Sequence, residues 1–177
     1  MTFWNVFSGV FAGIVAGVVI NLIVSWIFTK NNNKNWKNNL KFEINYNIKK
    51  IESFIDEITE YRNKVNGDSL DSYFGYFPLS KVLTSTINQI FNNGLAYRFF
   101  KDKDIKQLLD FVSEFTYGGE KYINDQIGYN KGLFKDINLR QYSKGRIIGD
   151  IDFWEKKFKS YKEFLNEMLK KLWYRKS

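Results

Sequence analysis

From Phe3 to Phe28 the chain carries no charged side chain, and the run stops against Lys30 and a stretch rich in Asn and Lys. About 20 apolar residues, at about 1.5 Å each in a helix, cross a hydrocarbon core about 30 Å thick. Residues 3–28 are long enough, with some tilt. Trp4 and Trp26 stand near the two ends, about 33 Å apart along a helix, which suits rings in the two headgroup belts. Twelve Val, Ile, Leu and Phe residues lie between Val6 and Val24. They contribute roughly −4 to −7 kcal/mol to insertion, more than two amides and a few glycines oppose. A cleaved signal peptide would want a basic start, a shorter apolar region and small residues after it. Here no Lys or Arg precedes the run, and the small residues sit inside it. The expectation is a retained transmembrane helix with a short N-terminal tail, residues 1–29, and a cytoplasmic domain, residues 30–177. Lys30, Lys34, Lys37 and Lys41 precede the first acid, Glu43, so the positive-inside rule puts the C-terminal side in the cytoplasm.

Every fourth residue through the run reads Asn5, Gly9, Gly13, Gly17, Asn21, Ser25. At about 100° per residue, Gly9 and Gly17 lie about 40° to either side of Gly13, and Ala12, Ala16 and Ser8 extend that small face. Trp4, Phe11, Val15, Val18 and Leu22 take the opposite face. Small faces let helix backbones approach closely in a bilayer, and bulky faces suit lipid. The tandem G-x-x-x-G spacing therefore points to self-association, as a ring or as a dimer. Asn5 and Asn21 are costly against lipid and should face protein or water. They fall about 160° apart on a straight helix. Asn21, with Ser25 beside it, is the deeper candidate for a pore lining; Asn5 is the second. A buried hydrogen bond between helices is the competing role for Asn21.

All 27 basic and 19 acidic residues follow this segment, a net charge of +8, and the one proline is Pro78. Helical periodicity dominates. Leu40, Ile44, Ile48, Ile51, Ile55 and Ile58 recur at fours and threes, which predicts one helix over residues 36–66, stopped by Asn66-Gly67-Asp68. A second helix is expected over residues 80–93, with Val82, Leu83, Ile87, Ile90 and Phe91 inward and Gly94 as its stop. A third starts near Asp104 with Ile105, Leu108, Val112, Phe115 and Tyr122, and Gly118-Gly119 kinks or breaks it. The last opens near Asp150 or Asp152 and repeats Trp154, Phe158, Tyr161, Leu165, Met168 and Leu172. No alternating strand is evident. The fold class expected is all-α, a bundle of four or five helices after a single spanning helix. Tyr73-Phe74-Gly75-Tyr76-Phe77-Pro78 is an aromatic loop that either plugs the end of the bundle or docks a partner. Residues 130–149 mix Gly, Lys and Arg with Leu133, Phe134, Ile137, Ile147 and Ile148, and read as an ordered loop between protomers or a flexible link.

The chain has no histidine and no cysteine. That removes His general bases, Cys nucleophiles and His/Cys metal sites. No phosphate-cradling glycine loop occurs. Glu52, Asp56, Glu57 and Glu60 alternate with Lys49, Lys50, Arg62 and Lys64, the pattern of a solvated, salt-bridged face. No catalytic residue, cofactor, metal or small-molecule substrate is expected. The basic surplus suits anionic headgroups beside Lys30, Lys34, Lys37 and Lys41, or a cationic vestibule that selects ions, or nucleic-acid binding through Lys170-Lys171-Leu172-Trp173-Tyr174-Arg175-Lys176, although Trp173 and Tyr174 also extend the last helix's apolar pattern.

A single N-terminal spanning helix followed by a basic all-helical domain of this length resembles the small membrane accessory protein of type VI-B CRISPR systems. The likeness is architectural and covers the whole chain. It implies a divergent HEPN-like helical domain. That family's RNase motif is Arg, usually followed by a polar residue such as Asn, then His a few positions on. Arg62-Asn63-Lys64-Val65-Asn66-Gly67-Asp68 matches the Arg-Asn opening and has no His, so nuclease function does not carry over. The resemblance further implies a homo-oligomeric pore in the bacterial inner membrane, an accessory to antiphage defence by an RNA-guided RNase. A membrane-tethered dimeric adaptor is the first alternative, and a membrane-anchored HEPN-like RNase the second.

Overall fold

The computed structural model describes the backbone of residues 3–174, and the side chains of residues 20–27 and 29–173. It contains six α-helices and two 3-10 turns, with no strand among the described residues. The helices are α1 (Phe3–Asn66), α2 (Ser85–Asn92), α3 (Ala96–Phe99), α4 (Asp102–Glu114), α5 (Tyr117–Lys135) and α6 (Ile137–Tyr174). Two compact units emerge. One comprises residues 1–39 with 176–177, and the other residues 40–175. The spanning helix and the helix from residue 36 that the sequence suggests separately are one element. No Gly or Pro lies between Gly17 and Gly67 to interrupt it.

Within the second unit, α1 buries Leu40, Ile44, Asn47, Ile51, Phe54, Ile58, Tyr61 and Val65. The spacing alternates four and three, which keeps one stripe facing a neighbouring helix. Ile55, expected inward, is half-buried, and Phe54 takes the core position. The helix ends as expected. The Gly67 amide bonds back to the Asn63 carbonyl at 2.9 Å, and Asp68 adopts the left-handed conformation, φ 53°, which Asp tolerates better than most residues.

α6 runs antiparallel to α1. Arg62 meets Asp152 at 2.7 Å, Lys162 meets Glu52 at 2.9 Å, and the Lys41 ammonium stands 3.7 Å from the Trp173 ring centre. α6 is antiparallel to α4 as well, through Lys157 with Glu114 and Lys171 with Asp104. It is antiparallel to α5, where the Trp154 indole donates to Gln126 at 3.1 Å. The centre is aromatic: Phe54, Phe77, Phe115 and Phe158 lie with ring centres 5.6–6.3 Å apart in five of their pairs. The aromatic loop fills the core with two of its rings and leaves two outside. Tyr73 and Phe77 are buried, whereas Phe74 is 86 % exposed and Tyr76 is also outside.

Three boundaries differ from expectation. Residues 80–84 are not α2's first turn, because Asn47 on α1 grips the Leu83 backbone. Its amide donates to the Leu83 carbonyl at 2.6 Å and its oxygen accepts from the Leu83 N–H at 2.8 Å. Leu83, expected inward, is 36 % exposed. The break near the glycine pair is real but earlier. α4 stops at Glu114, Thr116 caps α5 by accepting from the Gly119 N–H at 3.3 Å, and the Cβ of any other residue at 119 would lie 2.1 Å from the Glu114 carbonyl oxygen. Finally, residues 130–149 are not a loop. α5 continues through Lys135 and α6 begins at Ile137, not at Asp150 or Asp152. Phe134, Ser143, Ile147 and Ile151 are buried and carry the pattern across.

Candidate functional site

Among the first unit's described side chains, residues 20–27 form a short, mainly apolar segment of α1. Ile20, Leu22, Ile23, Val24, Trp26 and Ile27 are all exposed, Leu22 by 64 % and Trp26 by 62 %. Eight consecutive residues at about 100° each cover the whole circumference of a helix. The six apolar side chains spread over about 200° of it, wider than the stripe of a helix packed on a soluble core, and Asn21 and Ser25 take the remaining side. Six such side chains about half withdrawn from water would gain on the order of 5–10 kcal/mol. Asn21 and Ser25 are exposed in the same segment, and Ser25 lines a shallow surface groove with Leu22, Ile23, Trp26 and Thr29. Gly9, Gly13, Gly17, Ala12, Ala16 and Asn5 lie on the helical backbone of α1, but their side-chain surroundings are outside the described residues. Among the described residues, no helix is long and apolar enough to cross a membrane.

The lysines beyond it divide between the two units. Lys30 stands 5.0 Å from the Trp26 ring centre, Lys34 is exposed and Lys37 half-buried. In the second unit Lys41 covers Trp173.

Arg62 does not face open solvent. It holds Asp152 and Glu155 on α6 at once, and the Asp152 hydrogen bond is the main reason its pKa rises above the ordinary arginine value. Glu155 also receives Lys159, and that bond does most to hold its carboxyl below the usual range. Arg62 therefore ties α1 to α6. Asn63 beside it is exposed. The acidic residues nearby form ion pairs, Glu52 with Lys162 among them, and no cluster able to hold a metal ion occurs among the described residues.

The residues that organise the connectors are ones the apolar pattern does not reveal. Glu43 is buried, and its carboxylate accepts from the Thr86 and Ile87 N–H groups at 2.7 and 3.0 Å, so it caps α2 from a distance in sequence. Glu120 accepts from the Ser80 N–H at 2.8 Å and from the Tyr76 hydroxyl. Burial pulls its pKa upward, but the bonds from Ser80 and Tyr76 outweigh burial and hold the carboxyl below its ordinary value. Asn124 accepts from the Phe77 N–H and donates to its carbonyl, both at 3.0 Å. Tyr61 and Tyr73 stack with ring centres 4.8 Å apart. Burial pushes Tyr61 up to about 12, and burial with the Glu57 carboxylate beside it pushes Tyr73 higher still. The available signal is position: Glu43 and Asn47 sit one turn apart on the buried stripe of α1, where an apolar pair would be expected.

No family model matches the chain, and no curated protein or solved structure matches it significantly.

Proposed function

We propose that the chain is a single-pass membrane protein that assembles with copies of itself into a pore in the bacterial inner membrane, with the helical domain in the cytoplasm. The observation that carries this reading is the segment of α1 at residues 20–27, exposed throughout, with six apolar side chains over about 200° of its circumference and Asn21 and Ser25 on the remaining side. It continues the uncharged sequence from Phe3 and gives way to Lys30. Leaving such a surface in water would forfeit a free energy comparable to the whole stability of a domain. The lipid bilayer is the solvent that suits it. Gly9, Gly13 and Gly17 then supply the face on which neighbouring helices meet, and Asn21 and Ser25 the polar positions one turn apart. A ring needs two different contact faces on each copy, which a helix with one small and one bulky side provides. The setting that the architectural likeness implies is antiphage defence, in which an RNA-guided RNase is the functional partner and membrane depolarisation the effect.

Two measurements test this. Alkaline extraction of membranes from expressing cells should leave the chain in the pellet; release into the supernatant would contradict insertion. Particle size in mild detergent should correspond to a ring of five or more subunits, and a dimer would favour the tethered adaptor. Gly13→Leu should shrink the particle without releasing the chain from the membrane.

A further inference from the structure

We propose that the helical domain binds a single water molecule where α1, α5 and α6 meet, as a hydrogen-bonded bridge between Tyr61, Asn130 and Asp150. Ile123, Ile127, Asn130 and Phe134 form the buried stripe of α5, so Asn130 takes a position that an apolar residue would fill. Asn130 is 1 % exposed, and its Oδ1 has no hydrogen-bond partner among the described residues. Its Nδ2 is engaged: it donates to the Tyr61 hydroxyl of α1 at 3.3 Å and reaches the Asp150 carboxylate of α6 at 3.5 Å. That carboxylate fixes which way round the amide lies, because turning it over would set Oδ1 against another acceptor oxygen. The packing thus leaves one buried acceptor to be met. Keeping it unpaired costs more than immobilising one water. The same side chain lines a cavity of about 10 Å³, which is the room that one water needs.

The walls supply a water's partners and little else. Tyr61 accepts from Asn130, so its own hydrogen is left to donate, and burial raises its pKa to about 12, so the hydroxyl stays protonated. A water in the cavity accepts from that hydroxyl, donates to Asn130 Oδ1 and gives its second hydrogen to Asp150, about the three bonds usual for a buried water. Gln126 also lines the cavity, but its carbonyl oxygen is taken by the Trp154 indole at 3.1 Å. The rest of the lining is apolar, four isoleucines among it. A dehydrated metal cation needs about six oxygen ligands, more than these walls offer. An organic ligand needs a volume tens of times larger. The bridge lies within the helical domain and forms whether or not the chain inserts in a membrane.

The test is a crystal structure of the full-length chain in detergent, at a resolution that shows other buried waters. The unaltered chain should give one isolated density peak within hydrogen-bond distance of Asn130 Oδ1, the Tyr61 hydroxyl and the Asp150 carboxylate. In Tyr61→Phe the peak should lose most of its height, because one of its partners goes with the hydroxyl. In Asn130→Leu it should be absent, because the acceptor is gone and methyl groups take the space. The peak in the unaltered chain keeps the test decisive if either variant folds poorly. A map of the unaltered chain with no peak there would overturn the proposal, as would Asn130 Oδ1 meeting a protein donor instead. So would a peak at full height in Tyr61→Phe. Anomalous scattering from the peak after rubidium replaces potassium in the buffer would identify a cation and overturn it too.

Discussion

Replacing Glu43 with Ala removes the acceptor for two N–H groups at the start of α2, at 2.7 and 3.0 Å. Glu43 is 3 % exposed, and the Ile87 bond is buried. Hydrogen bonds to a charged acceptor contribute about 1.5–3 kcal/mol each, and a buried donor left unsatisfied costs about 1–3 kcal/mol. Thr86 is partly exposed, so water recovers part of its loss. The net loss expected is about 3 kcal/mol, which for a domain of this size lowers Tm by roughly 6–12 °C. Glu43→Gln keeps one neutral acceptor and should lose about half as much. The assay is a thermal melt by circular dichroism on the full chain in detergent, together with hydrogen exchange at the Thr86 and Ile87 amides. Protection at those two amides should fall before that of the α1 stripe. A Tm shift below about 2 °C, or unchanged protection, would refute the assignment of Glu43 as the cap of α2.

Other substitutions probe different contacts. Arg62→Ala should lower stability by about 1–2 kcal/mol, because its two partners on α6 are partly exposed, and should alter no RNA cleavage; a melt and an RNA-degradation assay on the same sample check both. The Glu120 carboxyl is held below its ordinary 4.5 in the folded chain. Its stabilisation is complete above that value and is lost as pH falls through the lower folded value, so Glu120→Gln should flatten the acid limb of stability against pH. Gly119→Ala should cost more than about 2 kcal/mol through the clash with the Glu114 carbonyl. Gly145→Ala meets nothing within 4 Å and should gain about 0.5–1 kcal/mol; paired melts decide. Asn21→Leu should leave particle size unchanged and alter conductance.

The long elements were legible because α1 and the latter part of α6 repeat apolar residues at helical spacing over many turns. Their neighbours were not, for identifiable reasons. Gly145 and Gly149 made the first turns of α6 look like a loop, yet both face open space and cost only propensity, which Ile147 and Ile151 on the buried side offset. The start of α2 was misplaced because Asn47, far away in sequence, holds Leu83 by both its amide groups and keeps the chain from coiling. Glu43, Asn47 and Glu120 were invisible to a search for apolar periodicity, since their value lies in backbone groups that only the fold brings to them. Arg62 could be picked out by its resemblance to a motif, but its partners Asp152 and Glu155 could not. The small-residue face of α1 was readable as a periodicity alone.

The central claim is a conducting assembly, and the most direct measurement is current across a planar bilayer containing the purified full-length chain. The account predicts discrete conductance steps that Gly13→Leu abolishes and Asn21→Leu changes in size. Bilayers that stay silent with the unaltered protein, including in the presence of an activated RNA-guided RNase, would contradict it.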